Sequence, residues 1–245
     1  MSVRTWPIDY VELCLCLHDA LCVLDDAATA LQYTRYAETV LNWVDPARYR
    51  DCEERVHSLE INTIRGIGVV YNNLDLPTQA AWYFQQARRT TAFVRRREDW
   101  IVHVCRDTLS TIAKQPRFTL SEVEGLANQA LESMGDTNRE LNTLLLKAKL
   151  GECYLAYRGR RDYAGPLLDA VIEETERSTV LGPLHRTIIY RTYALLCRKR
   201  ADRAGLAHWA ARALSVAEEA GLVREARTIR RDVLGEPKLH HRPSG

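Results

Sequence analysis

Hydrophobic residues recur along most of the chain at alternating spacings of three and four, which is the period of a helix buried on one side. The segment from Leu222 to Leu234 shows the pattern clearly, because its arginines fall away from the apolar stripe. The stripe consists of Leu222, Ala226, Ile229 and Val233. Gly221 and Gly235 bound the segment and favour helix ends. The pattern therefore predicts a final amphipathic helix there.

A longer pattern links two predicted helices in the window IRGIGVVYNNLDLPTQAAWYFQQA, which begins at Ile64. Its small and aromatic residues follow the order G-x2-Y-x8-A-x3-F-x2-A, at Gly68, Tyr71, Ala80, Phe84 and Ala87. A glycine inside a helix costs about 1 kcal/mol relative to alanine. We therefore expect a second helix to approach closely at Gly68, with the turn between the two helices at residues 73–77.

This order of residues resembles the tetratricopeptide repeat (TPR) at each of its usual anchor positions. Weaker copies recur along the chain, and their last small residues are Ala37, Ala87, Ala130, Ala170 and Ala213. Their separations of 50, 43, 40 and 43 residues exceed the family period of about 34. The longer period is similar to that of the stretched repeats of bacterial signalling and transcription regulators. The resemblance implies an all-α fold, a right-handed TPR-like α-solenoid of about five antiparallel helix pairs plus a C-terminal capping helix.

No domain boundary is visible between the ends of this pattern. We expect residues 1–235 to form a single TPR-like helical repeat domain and residues 236–245 to form a disordered tail. The first helix, which we expect to start at Pro7, is apolar almost all round from Leu13 to Leu24. This stretch is too short to span a bilayer. A terminal repeat helix needs a cover, which flanking helices, a second copy in a homodimer or a missing partner domain would supply.

Composition narrows the function classes. The chain has 46% apolar residues but only 12 Gly and 8 Pro, which favours a helical core. Its 34 basic and 32 acidic residues give a net charge of +2, too small a field to indicate nucleic acid or membrane partners. The seven cysteines contain no C-x-x-C pair. We expect them to be small core residues of a cytoplasmic protein.

The sequence lacks the motifs of the common catalytic sites. It has no G-x-S-x-G elbow, no H-E-x-x-H pair and no phosphate-binding loop. Five of the seven histidines occur singly on predicted helices, namely His18, His57, His103, His185 and His208. We therefore expect no enzyme, no cofactor and no metal site.

Positions that avoid the repeat anchors should line the concave face of the solenoid. In the best repeat these are Asn62, Arg65, Val69, Asn72 and Asn73, and further along the chain they are Glu152, Arg191 and Arg198. Asparagine side chains can pair with an extended backbone, and an arginine can bind a carboxylate in two hydrogen bonds. The alternative interpretation is an ordinary solvated helix face.

These observations predict a non-catalytic scaffold or regulatory module that binds a protein or peptide partner on its concave face. The alternative is the ligand- or peptide-sensing domain of a bacterial transcription regulator, in which binding shifts the curvature of the superhelix. A third hypothesis, a single-stranded RNA-binding repeat, has less support because no ladder of aromatic residues accompanies the arginines.

Overall fold

The computed structural model is all-helical over the residues that it describes, which are 6–45, 52–94, 97–136, 138–157 and 161–236. Eleven α-helices occur in these ranges. They are α1 (Trp6–Val23), α2 (Ala27–Leu41), α3 (Glu53–Asn73), α4 (Pro77–Thr90), α5 (Arg97–Ile112), α6 (Leu120–Glu132), α7 (Arg139–Ala156), α8 (Arg161–Arg177), α9 (Pro183–Lys199), α10 (Arg203–Glu219) and α11 (Val223–Asp232). The predicted all-α class is confirmed. Of the predicted disordered tail, only Glu236 lies within the described residues.

The helix boundaries follow from local sequence signals. Pro77 and Pro183 occupy the first positions of α4 and α9, where a missing N–H group costs nothing. Asp26, Thr119 and Asp202 precede α2, α6 and α10, and each side chain accepts a hydrogen bond from a backbone N–H in the first turn. The predicted turn at residues 73–77 and the predicted final helix are both present.

Each odd-numbered helix from α1 to α9 packs against the even-numbered helix that follows it. In the pair α3 and α4, a Cβ atom at Gly68 would lie 2.7 Å from the Phe84 ring, which confirms the predicted close approach. In the pair α7 and α8, a Cβ atom at Gly151 would lie 2.5 Å from Leu168. Glycine is therefore what allows these helices to cross at short range.

The fourth repeat is shifted by one residue from the predicted alignment. Leu168 and Val171 are buried against α7, whereas Ala170, which the repeat pattern places in the interface, is exposed. Leu168 follows Gly151 by 17 residues, while Phe84 follows Gly68 by 16. The connection between α7 and α8 is thus one residue longer than the pattern assumed.

The same left-handed turn ends four helices. Asp25, Asp75, Ala201 and Gly221 all have φ between 58° and 68°. In each turn, the N–H group of the next residue donates to a carbonyl five residues back, for example from Asp26 to Leu21. This hydrogen bond closes the Schellman pattern and satisfies a carbonyl at the helix end.

The odd-numbered helices contact one another in chain order, and α11 also contacts α1. The six helices α1, α3, α5, α7, α9 and α11 therefore form a closed ring. Val23 of α1 packs against the apolar cluster that contains Ala226 and Ile229 of α11. The final helix does not simply cap an open end; it joins the end of the chain to its beginning.

Helix α1 is thus covered in part by its own chain. Its buried residues, among them Ile8, Val11 and Leu15, pack in a cluster with residues of α2 and α3. Trp6 and Leu13 remain 65% and 56% exposed. Cys16 is exposed as well, so the prediction that the cysteines are core residues is wrong for that position. In the described part of the chain, no helix is both long and apolar enough to cross a membrane.

Candidate functional site

A cavity of about 740 Å³, which is partly open to solvent, lies on the inner side of the ring. Side chains from all six ring helices line it, because each of these helices turns one face inward. A volume of this size lies within the range of about 300–1,000 Å³ that is typical of small-ligand sites. The cavity is therefore the candidate functional site.

Basic residues outnumber acidic ones on the cavity wall. The ten basic residues are Arg65, Arg106, Lys114, Lys149, Arg191, Arg198, Lys199, Arg224, Arg227 and Arg231. The six acidic residues are Asp19, Asp25, Asp107, Glu152, Glu225 and Asp232. The whole chain carries a net charge of only +2. Positive charge is thus concentrated in the cavity, where low-dielectric walls strengthen its field.

Seven of the eight predicted site residues line this cavity: Arg65, Val69, Asn72, Asn73, Glu152, Arg191 and Arg198. Asn62 lines a neighbouring, more open pocket together with Arg65 and Arg106. The structure thus brings the predicted residues together on the inner face. It also shows that the charged residues among them already form hydrogen bonds or ion pairs within the chain.

Arg65 illustrates this internal pairing. Its Nε donates to Asp107 Oδ2 on α5 at 2.6 Å, and its Nη1 donates to Asn62 Oδ1 at 3.3 Å. The carboxylate that Arg65 was expected to bind is therefore supplied by the protein itself. Arg65 and Arg106 help to keep the pKa of the buried Asp107 below its usual range, although desolvation opposes them.

Glu152 is the centre of the largest buried ion-pair network. Its carboxylate accepts hydrogen bonds from Lys149 at 3.0 Å, from Arg191 at 3.0 Å and from Thr192 at 2.7 Å. Burial opposes ionisation, but the two cations outweigh it and lower the pKa of Glu152 to about 2. Arg191 also donates to Glu225 at 2.9 Å. Helices α7, α9 and α11 are joined through these contacts.

Three arginines of α11 close the ring. Arg224 donates to Asn73 Oδ1 and to Glu225, Arg227 pairs with Asp25, and Arg231 donates to Asp75 at 3.2 Å. Asp25 and Asp75 are the left-handed turn residues that follow α1 and α3. The final helix therefore binds the turns at the start of the chain through charge-assisted hydrogen bonds.

The remaining predicted residues are also engaged in part. Arg198 donates to the backbone carbonyl of Asp232. The backbone carbonyl of Asn72 accepts from Lys114 Nζ at 2.7 Å. Two amide atoms, Asn72 Oδ1 and Asn73 Nδ2, are buried without a hydrogen-bond partner in the described structure. Unsatisfied polar atoms of this kind are rare in proteins, and a water or an ion bound beside them is one common explanation.

Arg106 is the main inward residue that the sequence analysis missed. It lies on α5, where the repeat pattern was weakest, so no inner face was assigned to this helix. A signal was nevertheless present. Arg106, Ser110 and Lys114 recur every four residues, the first two on α5 and Lys114 just beyond its end. They lie beside the buried Cys105 and Leu109, and all three line the cavity.

Comparison of the chain with family models, with curated proteins and with solved structures gives no match. The geometry and chemistry of the cavity are therefore the basis on which a function can be proposed.

Proposed function

We propose that this protein is a non-catalytic binding module that receives a small ligand or the end of a peptide in its central cavity. One observation carries the proposal: the inner helices close into a ring around a space of about 740 Å³ that is lined by charged residues. Charges held on rigid helices can orient a bound ligand without reorganisation of the backbone.

We also propose that the ring is a stretched TPR-like solenoid whose two ends meet. The recurrent glycine contacts between paired helices and the repeated left-handed turn support this interpretation. A closed ring favours an enclosed ligand over a long peptide laid along an open groove. The role of ligand-sensing domain in a regulator, in which binding changes the ring and a partner responds, therefore fits better than that of a passive scaffold.

Blocking the cavity tests the proposal. Ser110 lines the cavity, whereas Ser121 is exposed on α6. Ser110→Trp should fill the space, and Ser121→Trp adds the same bulk at the surface. The full-length protein and both variants are incubated with the fraction of a cell extract that contains only small molecules and short peptides. Native mass spectrometry then measures what stays bound.

We expect a bound species on the parent protein and on Ser121→Trp, but not on Ser110→Trp. Circular dichroism checks that all three proteins are equally helical. Equal amounts of bound species on both variants would place the ligand outside the cavity. The absence of any bound species on the parent protein would also contradict the proposal.

A further inference from the structure

The side chain of Arg106 is mostly buried, yet its guanidinium lacks a hydrogen-bond partner among the described residues. Its side chain is 17% exposed, and its guanidinium donates no hydrogen bond to any residue that the structure describes. The closest acidic atom is Asp107 Oδ1, 3.8 Å from Arg106 Nε. Asp107 already accepts a hydrogen bond from Arg65 at 2.6 Å. The positive charge of Arg106 is therefore poorly compensated within the chain.

Burial of this kind is costly for a charged group. Desolvation, and to a smaller extent Arg65, lower the pKa of Arg106, while Asp107 raises it. An arginine nevertheless stays protonated in proteins. Arg106 therefore presents free N–H donors and a positive charge at the wall of the cavity. An anion bound there would accept the hydrogen bonds and balance the charge.

Two histidines lie near Arg106, and neither supplies a charge that balances its guanidinium. Burial, followed by Arg106 and Arg65, lowers the pKa of His103 to about 4. Burial and then Arg106 lower the pKa of His185, which lines the cavity from α9. The Nδ1 atoms of both rings are buried without a partner in the described residues. Both rings are therefore neutral at pH 7, so they add neither a second positive charge nor a countercharge beside Arg106.

The neighbouring residues on α5 extend the site into the cavity. Ser110 lies one helical turn beyond Arg106, and its hydroxyl has no hydrogen bond to the described residues. Lys114 follows four residues after Ser110, just beyond the end of α5. A guanidinium, a hydroxyl and an ammonium group thus follow one another along one wall.

We propose that Arg106 is the anion-binding residue of the central cavity and that the ligand carries a phosphate or carboxylate group. The planar guanidinium receives two oxygens of such a group in parallel hydrogen bonds, and Ser110 donates a third. The inference rests on the proposed function and adds to it the chemical class of the ligand.

Isothermal titration calorimetry of the full-length protein with inorganic pyrophosphate, and separately with citrate, tests this inference. We expect saturable binding of at least one of the two anions, which also shows whether phosphate or carboxylate is preferred. Arg106→Gln should weaken that binding by about tenfold or more, because a charge-assisted pair of hydrogen bonds is lost. Arg88→Gln, which removes an exposed arginine on α4, should leave the affinity unchanged.

Thermal unfolding separates a binding role of Arg106 from a structural one. Arg106→Gln removes a buried charge that has no hydrogen bond, so its melting temperature should equal or exceed that of the parent protein. Arg106→Lys keeps the charge but loses the planar fork. We expect this variant to bind more weakly than the parent as well.

Two results would overturn the inference: equal affinity of Arg106→Gln and the parent protein, or no saturable binding of either anion. If one of these results occurred while Ser110→Trp still abolished binding of the species from the extract, the proposed function would stand and only the anionic class of the ligand would fail.

Discussion

Replacing Gly68 with valine is expected to reduce the free energy of unfolding by about 3 kcal/mol, the upper end of what overpacking a core costs. A Cβ atom at this position would lie 2.7 Å from Phe84 Cε1 and 2.9 Å from Phe84 Cδ1. The Phe84 side chain is fully buried where α3 and α4 pack together, so a larger residue at position 68 would clash with its ring. The added methyl groups would therefore push the two helices apart. Differential scanning calorimetry should show a melting temperature lowered by roughly 6–12 °C.

Gly125 provides the matched control for this substitution. It lies inside α6, is exposed, and a Cβ atom there would meet nothing within 4 Å. Gly125→Ala should therefore raise the stability by about 1 kcal/mol through helix propensity alone. If Gly68→Val were as stable as the parent protein, α3 and α4 could not cross as closely as described.

Replacing Glu152 with alanine is expected to be at least as damaging, with a loss of about 3–5 kcal/mol. The side chains of Lys149, Glu152 and Arg191 are only 10%, 11% and 13% exposed. Without the carboxylate, two buried cations would face each other with less compensation. Equilibrium unfolding in urea measures the loss. The control is the more exposed ion pair of Lys147 on α7 with Glu174 on α8. Glu174→Ala should change the stability by less than about 0.5 kcal/mol.

The stabilising contribution of this network is expected to decrease in acid. The pKa of Glu152 is about 2 in the folded protein, below its ordinary value of 4.5. Its contribution is therefore fully present above pH 4.5 and is lost as the pH falls towards 2. The stability difference between the parent protein and Glu152→Gln should shrink over this interval. A difference that did not change with pH, or equal losses for Glu152→Ala and Glu174→Ala, would rule out the buried network.

Local packing could be read from the sequence because it depends on residues close together in the chain. Gly68 and Phe84 predicted the crossing of α3 and α4, and the amphipathic stripe around Ile229 predicted α11. The shift at Leu168 shows the limit of this approach. A single extra residue in a connection moves the contact to the next position without disturbing the apolar pattern.

The closed ring could not be predicted in this way. Closure depends on small rotations between successive helix pairs, which add up over the whole chain and leave no local signal. The contacts that complete it, such as those from Arg224 to Asn73 and from Arg231 to Asp75, join residues more than 150 positions apart. The sequence identified seven residues of the inner face, although not Arg106, and it gave no indication that they surround a cavity.

The closed ring also changes the meaning of the predicted binding residues. Arg65, Glu152 and Arg191 were expected to contact a partner, but in the structure Arg65 pairs with Asp107, and Arg191 pairs with Glu152. We therefore assign them to the wall that shapes the cavity. Arg106 is 3.8 Å from Asp107 and donates no hydrogen bond to the described residues, so it is the residue that we propose to bind the ligand.

Small-angle X-ray scattering of the full-length protein in dilute solution tests the closed ring most directly. A compact chain of 245 residues should have a radius of gyration of about 18 Å. A closed ring should give a value close to this, with a pair-distance distribution that has one maximum. A clearly larger radius with a long tail of distances would show an open superhelix, and it would contradict the central cavity on which the proposed function depends.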